Sequence, residues 1–122
     1  MSGTISGVTF SQDGEDTHMR IFRGKSLDFD IIWGGDSPID ITGCEAVLQA
    51  RSFDGVLMLD LSTGNGGITI DGPSGRLHVT AGPEVTAQVN QAGRYEVELT
   101  LSDGKICRVI SGNISPIGEV AA

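Results

Sequence analysis

His18 and His78 are the two histidines of the chain and Cys44 and Cys107 its two cysteines, and these four side chains bound the acid–base, nucleophilic and soft-metal chemistry open to it. Nucleophilic catalysis needs a nucleophile, a base and an orienting group brought together. His18 lies beside a polar N-terminal segment and His78 sits within "RLHVT", which reads as a strand. The serines fall on turns, and none lies in a nucleophile-elbow pattern. His78 is therefore expected at a surface or rim, and the carboxylates at turns or on outward strand faces, where solvation is the default. The cysteines are too few and too widely spaced for a metal-ligand pattern. In a reducing cytosol they are expected as small buried hydrophobes rather than as a disulfide. No catalytic residue, cofactor or metal site is expected.

Two further stretches invite a chemical reading and fail it. "RGKS" at 23–26 has the end of a phosphate-binding loop, but that loop needs a glycine where this chain has Met19, so its amides could not wrap a phosphate; Lys25 reads as an exposed turn residue. "NGGITID" offers Asp71 among glycines, yet calcium wants six to eight oxygens, and the spacing fits neither an EF-hand loop nor a nonapeptide repeat. Gly66, Gly67 and Asp71 are instead expected to build a structural turn.

Charge narrows the partners. Sixteen acidic against eight basic residues give a net charge of -8, which repels a nucleic-acid backbone or an anionic membrane at long range. The one basic concentration, Arg20, Arg23 and Lys25, follows the acidic "DGED", so local pairing accounts for it.

The elements that would position these groups are short and β-prone. In "SLDFDIIW" Leu27, Phe29, Ile31 and Trp33 share one face while Asp28 and Asp30 share the other, the two-residue period of a half-buried strand; Trp33 is expected in the core near a strand end. "GGDSP" breaks that strand. "CEAVLQARS" and "VLMLDL" read as two strands joined by "FDG". "ITI" and "RLHVT" follow between glycine-rich turns. "PEVTAQV", 83–89, is the best helical candidate and is expected to run about two turns, with Pro83 at its first position and Glu84 at its positive end. "RYEVELTL" then alternates, Tyr95, Val97, Leu99 and Leu101 inward, and "SDGK" turns the chain into "ICRVISGNIS". Tyr95 is expected in the core.

A chain of 122 residues is one ordinary domain able to bury a core without staples. About eight short strands, one brief helical connection and no βαβ rhythm predict an all-β, immunoglobulin-like sandwich over 18–117, with a partly closed barrel as the alternative. Residues 1–17 read as an extended N-terminal arm anchored by Val8 and Phe10, and 118–122 as a C-terminal tail. "MSGTISGVTF" lacks the basic start and apolar centre of a secretory signal, which predicts synthesis in a cytoplasm.

The run "RGKSLDFDIIWGGDSPIDITGCEAVLQAR", followed by "LDLSTGNGGITID", "GRLHVT" and "AGRYEVELTLSDGKICRVISGNISP", covers roughly residues 20 to 116. It resembles the immunoglobulin-like domain of tailed-phage virion proteins, of the type at the N-terminus of the upper baseplate protein. The most specific segments are "PIDITG", "NGGITID" and "AGRYEVEL". The resemblance implies a non-enzymatic virion part and brings no catalytic residue with it. Where such a domain adapts a fibre a long C-terminal region follows, whereas this chain ends at "SPIGEVAA", so it is expected to act through its own surface. The expected role is an assembly or attachment module of a phage tail, baseplate or tail fibre, present in many copies or as a homo-oligomer. It is expected in the virion, with other virion proteins as partners and neither nucleic acid nor membrane among them. The arm would dock as a strand on a neighbour's sheet, with Val8, Phe10, Arg20 and Arg23 as interaction residues. A capsid decoration protein is the first alternative. A small-ligand or carbohydrate-binding module is the second, weakened because Trp33 and Tyr95, the platforms a sugar would need, fall on inward faces.

Overall fold

The computed structural model describes residues 3–5, 8–13, 16–33 and 39–117, with side chains over 17–33 and 39–117. Among the described residues, ten strands follow in chain order. These are β1 (Gly3–Ile5), β2 (Val8–Asp13), β3 (Asp16–Phe22), β4 (Leu27–Ile32), β5 (Glu45–Ser52), β6 (Leu57–Ser62), β7 (Ile68–Asp71), β8 (Arg76–Ala81), β9 (Gly93–Thr100) and β10 (Ile106–Ile117). A single turn of helix, α1 (Pro83–Thr86), precedes β9.

Two sheets result, a seven-stranded one in the order β1-β2-β3-β10-β9-β5-β6 and a three-stranded one in the order β4-β8-β7. All pairings are antiparallel except β3 with β10. The set β4-β8-β7 facing β5-β9-β10 is the B-E-D against C-F-G layout of an immunoglobulin-like sandwich. From β3 onward the strands number eight, as the periodicity predicts.

The core is the sum of the inward faces. In β4 Leu27, Phe29 and Ile31 are buried while Asp28 and Ile32 are exposed. In β9 Tyr95, Val97 and Leu99 are buried against Leu48 and Ala50 of β5 and Leu77 and Val79 of β8. Trp33 is half-buried and packs on the margin of this cluster. Its backbone N–H donates to the Gly75 carbonyl at 2.8 Å and its carbonyl accepts from Ile39 at 3.1 Å, so it closes a strand end rather than filling the centre.

Tyr95 joins three strands at once. It is 2% exposed, and its hydroxyl donates to the Thr17 carbonyl on β3 at 2.5 Å. Between them in the sheet is β10, where the residue opposite Tyr95 is Gly112. A Cβ there would stand 2.2 Å from the same Thr17 oxygen. Glycine is required at this position because the phenol ring and the β3 backbone close over it.

Residues 39–43, "IDITG", fold as a plug. Asp40 Oδ1 accepts the Thr42 backbone N–H at 2.9 Å and its hydroxyl at 2.6 Å. This turn drives Ile41 into the core with its N–H on the Gly72 carbonyl at 2.9 Å. The Thr42 side-chain bond, then the backbone bond, hold the Asp40 carboxyl below its usual value, with slight opposition from desolvation.

Two expectations need correction. The helix stops at Thr86 instead of continuing to Val89. Thr86 Oγ1 donates to the Lys25 carbonyl at 2.8 Å and accepts the Gly24 N–H, while Arg23 donates Nε and Nη2 to the Ala87 carbonyl. The Arg23 bonds take the Ala87 carbonyl, which a second helical turn would use, Gln88 and Val89 instead close i to i+3 turns onto Val85 and Thr86, and the chain buries Val89. The N-terminal arm, expected as an extended segment for a neighbour's sheet, contributes β1 and β2 to its own sheet, with β2 in register on β3 from Val8↔Ile21 to Asp13↔Asp16.

Tyr95→Phe should lower unfolding free energy by about 1–3 kcal/mol by stranding the Thr17 carbonyl, and Gly112→Ala by about 3 kcal/mol through overpacking; urea melts with unchanged slope would register both. Because the Asp40 carboxyl is lowered on folding, its contribution to stability is present above the ordinary carboxylate pKa and is lost as pH falls through the folded value. Thr42→Val should move the Asp40 titration back up, read from its side-chain carboxyl carbon by NMR.

Candidate functional site

The strongest candidates for acid–base chemistry are built into cross-strand networks. His78, on the outer face of the small sheet, has Nδ1 at 2.5 Å from Asp30 Oδ1 and Nε2 at 3.2 Å from Asp28 Oδ1. Both ring nitrogens thus face carboxylates, and Arg76 Nε stands 3.9 Å from the other Asp30 oxygen. The strands bring these four together because Asp30 is opposite His78, and Asp28 and Arg76 flank that pair on the same face. The result is a partly solvated ionic ladder, in keeping with the surface position expected of His78. His18 Nε2 lies 2.9 Å from Ser115 Oγ, a bond between adjacent parallel strands rather than a nucleophile set in a cleft. Among the described residues no group of three or more His, Cys, Asp or Glu is placed to hold a metal ion. Cys44 and Cys107 are free thiols, each half-buried.

The glycine-rich turn lies beside an open groove of about 580 Å³. Asn65 organises it. Its Oδ1 accepts the Ser62 and Gly67 N–H groups at 2.9 and 3.0 Å, its Nδ2 donates to the Asp60 carbonyl at 2.9 Å, and its N–H donates to Ser62 Oγ at 3.1 Å. Gly66 has φ 84° with open space around it, whereas at Gly67 a Cβ would strike Leu61 at 2.8 Å. Freedom of φ is needed at the first and closeness to a neighbour at the second. Asp71 ends β7 opposite Arg76, and its carbonyl accepts the Ser74 hydroxyl. Its lining mixes polar Asp28, Asp60 and Thr80 with apolar Leu27, Leu61 and Val85.

The most exposed large apolar residue among the described ones, Phe53, lies elsewhere, on the β5–β6 hairpin, where it is 70% exposed with Val56 and Leu57 also exposed nearby in the chain. The hairpin is stiff. The Ser52 hydroxyl bonds to Asp54 and accepts the Val56 N–H, the Ser52 N–H reaches the Val56 carbonyl, and Arg51 Nη1 donates to the Gly55 carbonyl. Reading the sequence as "FDG" between strands finds the turn but misses the surface. The available signal is three large apolar residues crowded around a glycine, where turns normally carry polar groups.

Of the four interaction residues expected from the sequence, Val8 and Phe10 lie on β2, and their side chains are outside the described set. Arg20 is exposed on β3, and Arg23 is engaged with the Ala87 carbonyl.

Asn65→Ala should cost about 1–2 kcal/mol because one side chain bonds three backbone groups of the turn, whereas Asp71→Ala should stay within about 0.5 kcal/mol; chemical denaturation of the two variants checks the contrast. Comparison of the sequence with models of known protein families and with curated proteins finds no match.

Proposed function

We propose that this chain is a non-catalytic assembly module of a tailed-phage virion, attaching to tail, baseplate or fibre components through its own surface. The observation that carries this reading is the stiff β5–β6 hairpin, which holds Phe53, Val56 and Leu57 in water. Contiguous apolar groups kept exposed on a hydrogen-bonded scaffold are the mark of a protein-binding surface. Preorganisation also lowers the ordering cost of docking. The immunoglobulin-like sandwich supports the same reading, and the sequence resemblance supplies the virion setting. The two histidines, one bracketed by carboxylates and one bonded to a neighbouring strand, are used as structural groups.

Light scattering and co-sedimentation of the purified chain with the tail and major capsid proteins encoded beside it test this. Association with tail components, lost in Phe53→Ser while the circular dichroism spectrum is retained, is the expected result. Binding only to assembled capsid would transfer the role to head decoration, and indifference to both sets of proteins would overturn the virion reading.

A further inference from the structure

An apolar edge of the large sheet is closed by a side chain. β6 ends the seven-stranded sheet and has β5 as its one neighbour among the described strands. With the residue before it, the strand reads "VLMLDL" at 56–61, with a single charge, no proline and no glycine. Segments of that composition pair with copies of themselves when an edge is left open.

The phase of the ladder shows which backbone groups face outward. The Thr63 N–H donates to the Ala46 carbonyl at 3.0 Å, so at alternate positions Leu61, opposite Leu48, and Leu59, opposite Ala50, exchange bonds with β5. Asp60 and Ser62 alternate with them and direct their N–H and C=O groups away from β5, toward the place of a further strand. Asn65 fills that place. Its Oδ1 accepts the Ser62 N–H at 2.9 Å and its Nδ2 donates to the Asp60 carbonyl at 2.9 Å. In a parallel ladder one residue of an incoming strand takes an N–H and a C=O two residues apart on its neighbour, and the carboxamide reproduces that pair of bonds. The turn makes this possible: Gly66 at φ 84° reverses the chain, and the Gly67 N–H donates to the same Oδ1 at 3.0 Å. The other half of β6 is protected differently. Its register on β5 shifts between Ala50 and Arg51, leaving Met58 as an extra residue, and a bulge twists an edge out of line for pairing.

We propose that Asn65 is an edge stop: its carboxamide occupies the outward hydrogen-bonding groups of Asp60 and Ser62 and so prevents the β6 strands of two copies of this chain from joining into one continuous sheet. A second copy is the occupant it excludes, because the identical apolar segment supplies both matching side chains and a matching edge. The inference stands on the hydrogen bonds of β6 and the turn after it and does not depend on the virion reading.

The test is sedimentation equilibrium of the full chain and of Asn65→Ala over the same concentration series. Loss of the carboxamide frees two backbone groups on each copy, so Asn65→Ala should self-associate with about tenfold or greater affinity than the wild type. Amide exchange at Asp60, followed by NMR, should slow as concentration rises in this variant and stay constant in the wild type. Adding Ser62→Pro to Asn65→Ala removes the outward N–H without touching a ladder bond to β5, and should return sedimentation to the wild-type pattern. Tyr95→Phe, which loses stability far from this edge, should also sediment as the wild type does. Wild-type sedimentation of Asn65→Ala, Asp60 exchange indifferent to concentration in that variant, or association that survives Ser62→Pro or appears equally in Tyr95→Phe would each overturn the proposal.

Discussion

The hydroxyl of Tyr95 reaching the carbonyl of Thr17 is the contact on which the large sheet depends. It runs from β9 to β3 across β10, and it passes there because Gly112 offers no side chain. The β3–β10 pairing is the parallel one in this sheet, and parallel pairs are slightly less stable per residue than antiparallel ones. A buried hydrogen bond that spans the pair fixes its register where the ladder alone is weakest. β2 and β1 in turn build on β3, so the N-terminal extension of the sheet inherits its position from one phenol ring.

A second set of polar contacts decides how the chain crosses between the sheets. Thr86 and Arg23 bind backbone groups at the β3–β4 turn and after α1, tying together two crossings distant in sequence. Asn65 does the same locally between β6 and β7, and Asp40 with Thr42 seats Ile41. Each of these side chains saturates backbone donors or acceptors that strand geometry leaves unpaired, which would otherwise be costly near a core. With the crossings fixed in this way, the surface is left to hairpins and the outer face of the large sheet. The proposed assembly role rests on what that surface presents, apolar groups on a stiff hairpin.

Strand existence was legible in the sequence because one face of each strand is buried and the other wet. β4 and β9 alternate apolar and polar residues as their burial requires. The helical reading of 83–89 was too long because propensity and a proline at the start say where a helix begins, not where tertiary contacts halt it. Arg23 and Thr86 halt it, and they are far from each other in sequence. The candidate surface was less legible still. The crowding of Phe53, Val56 and Leu57 around a glycine signals an unusual turn but does not fix their exposure, since an aromatic residue beside a turn is equally compatible with burial under a neighbouring loop. The arm read as extended chain because its polar composition does not reveal which sheet edge would accept it.

What the sequence determined by itself was local: the period of each strand, the glycines that turn the chain, the acidic net charge and the inward placement of Tyr95. These follow from side-chain patterning and backbone sterics, which act between near neighbours. Only the tertiary structure decided that Gly112 lies beneath Tyr95, that Arg23 is spent on a backbone carbonyl, and that Arg51 and Arg94 stand side by side. Those relations depend on strand order and register. Both are set by long-range packing that brings residues far apart in the chain within a hydrogen bond of one another.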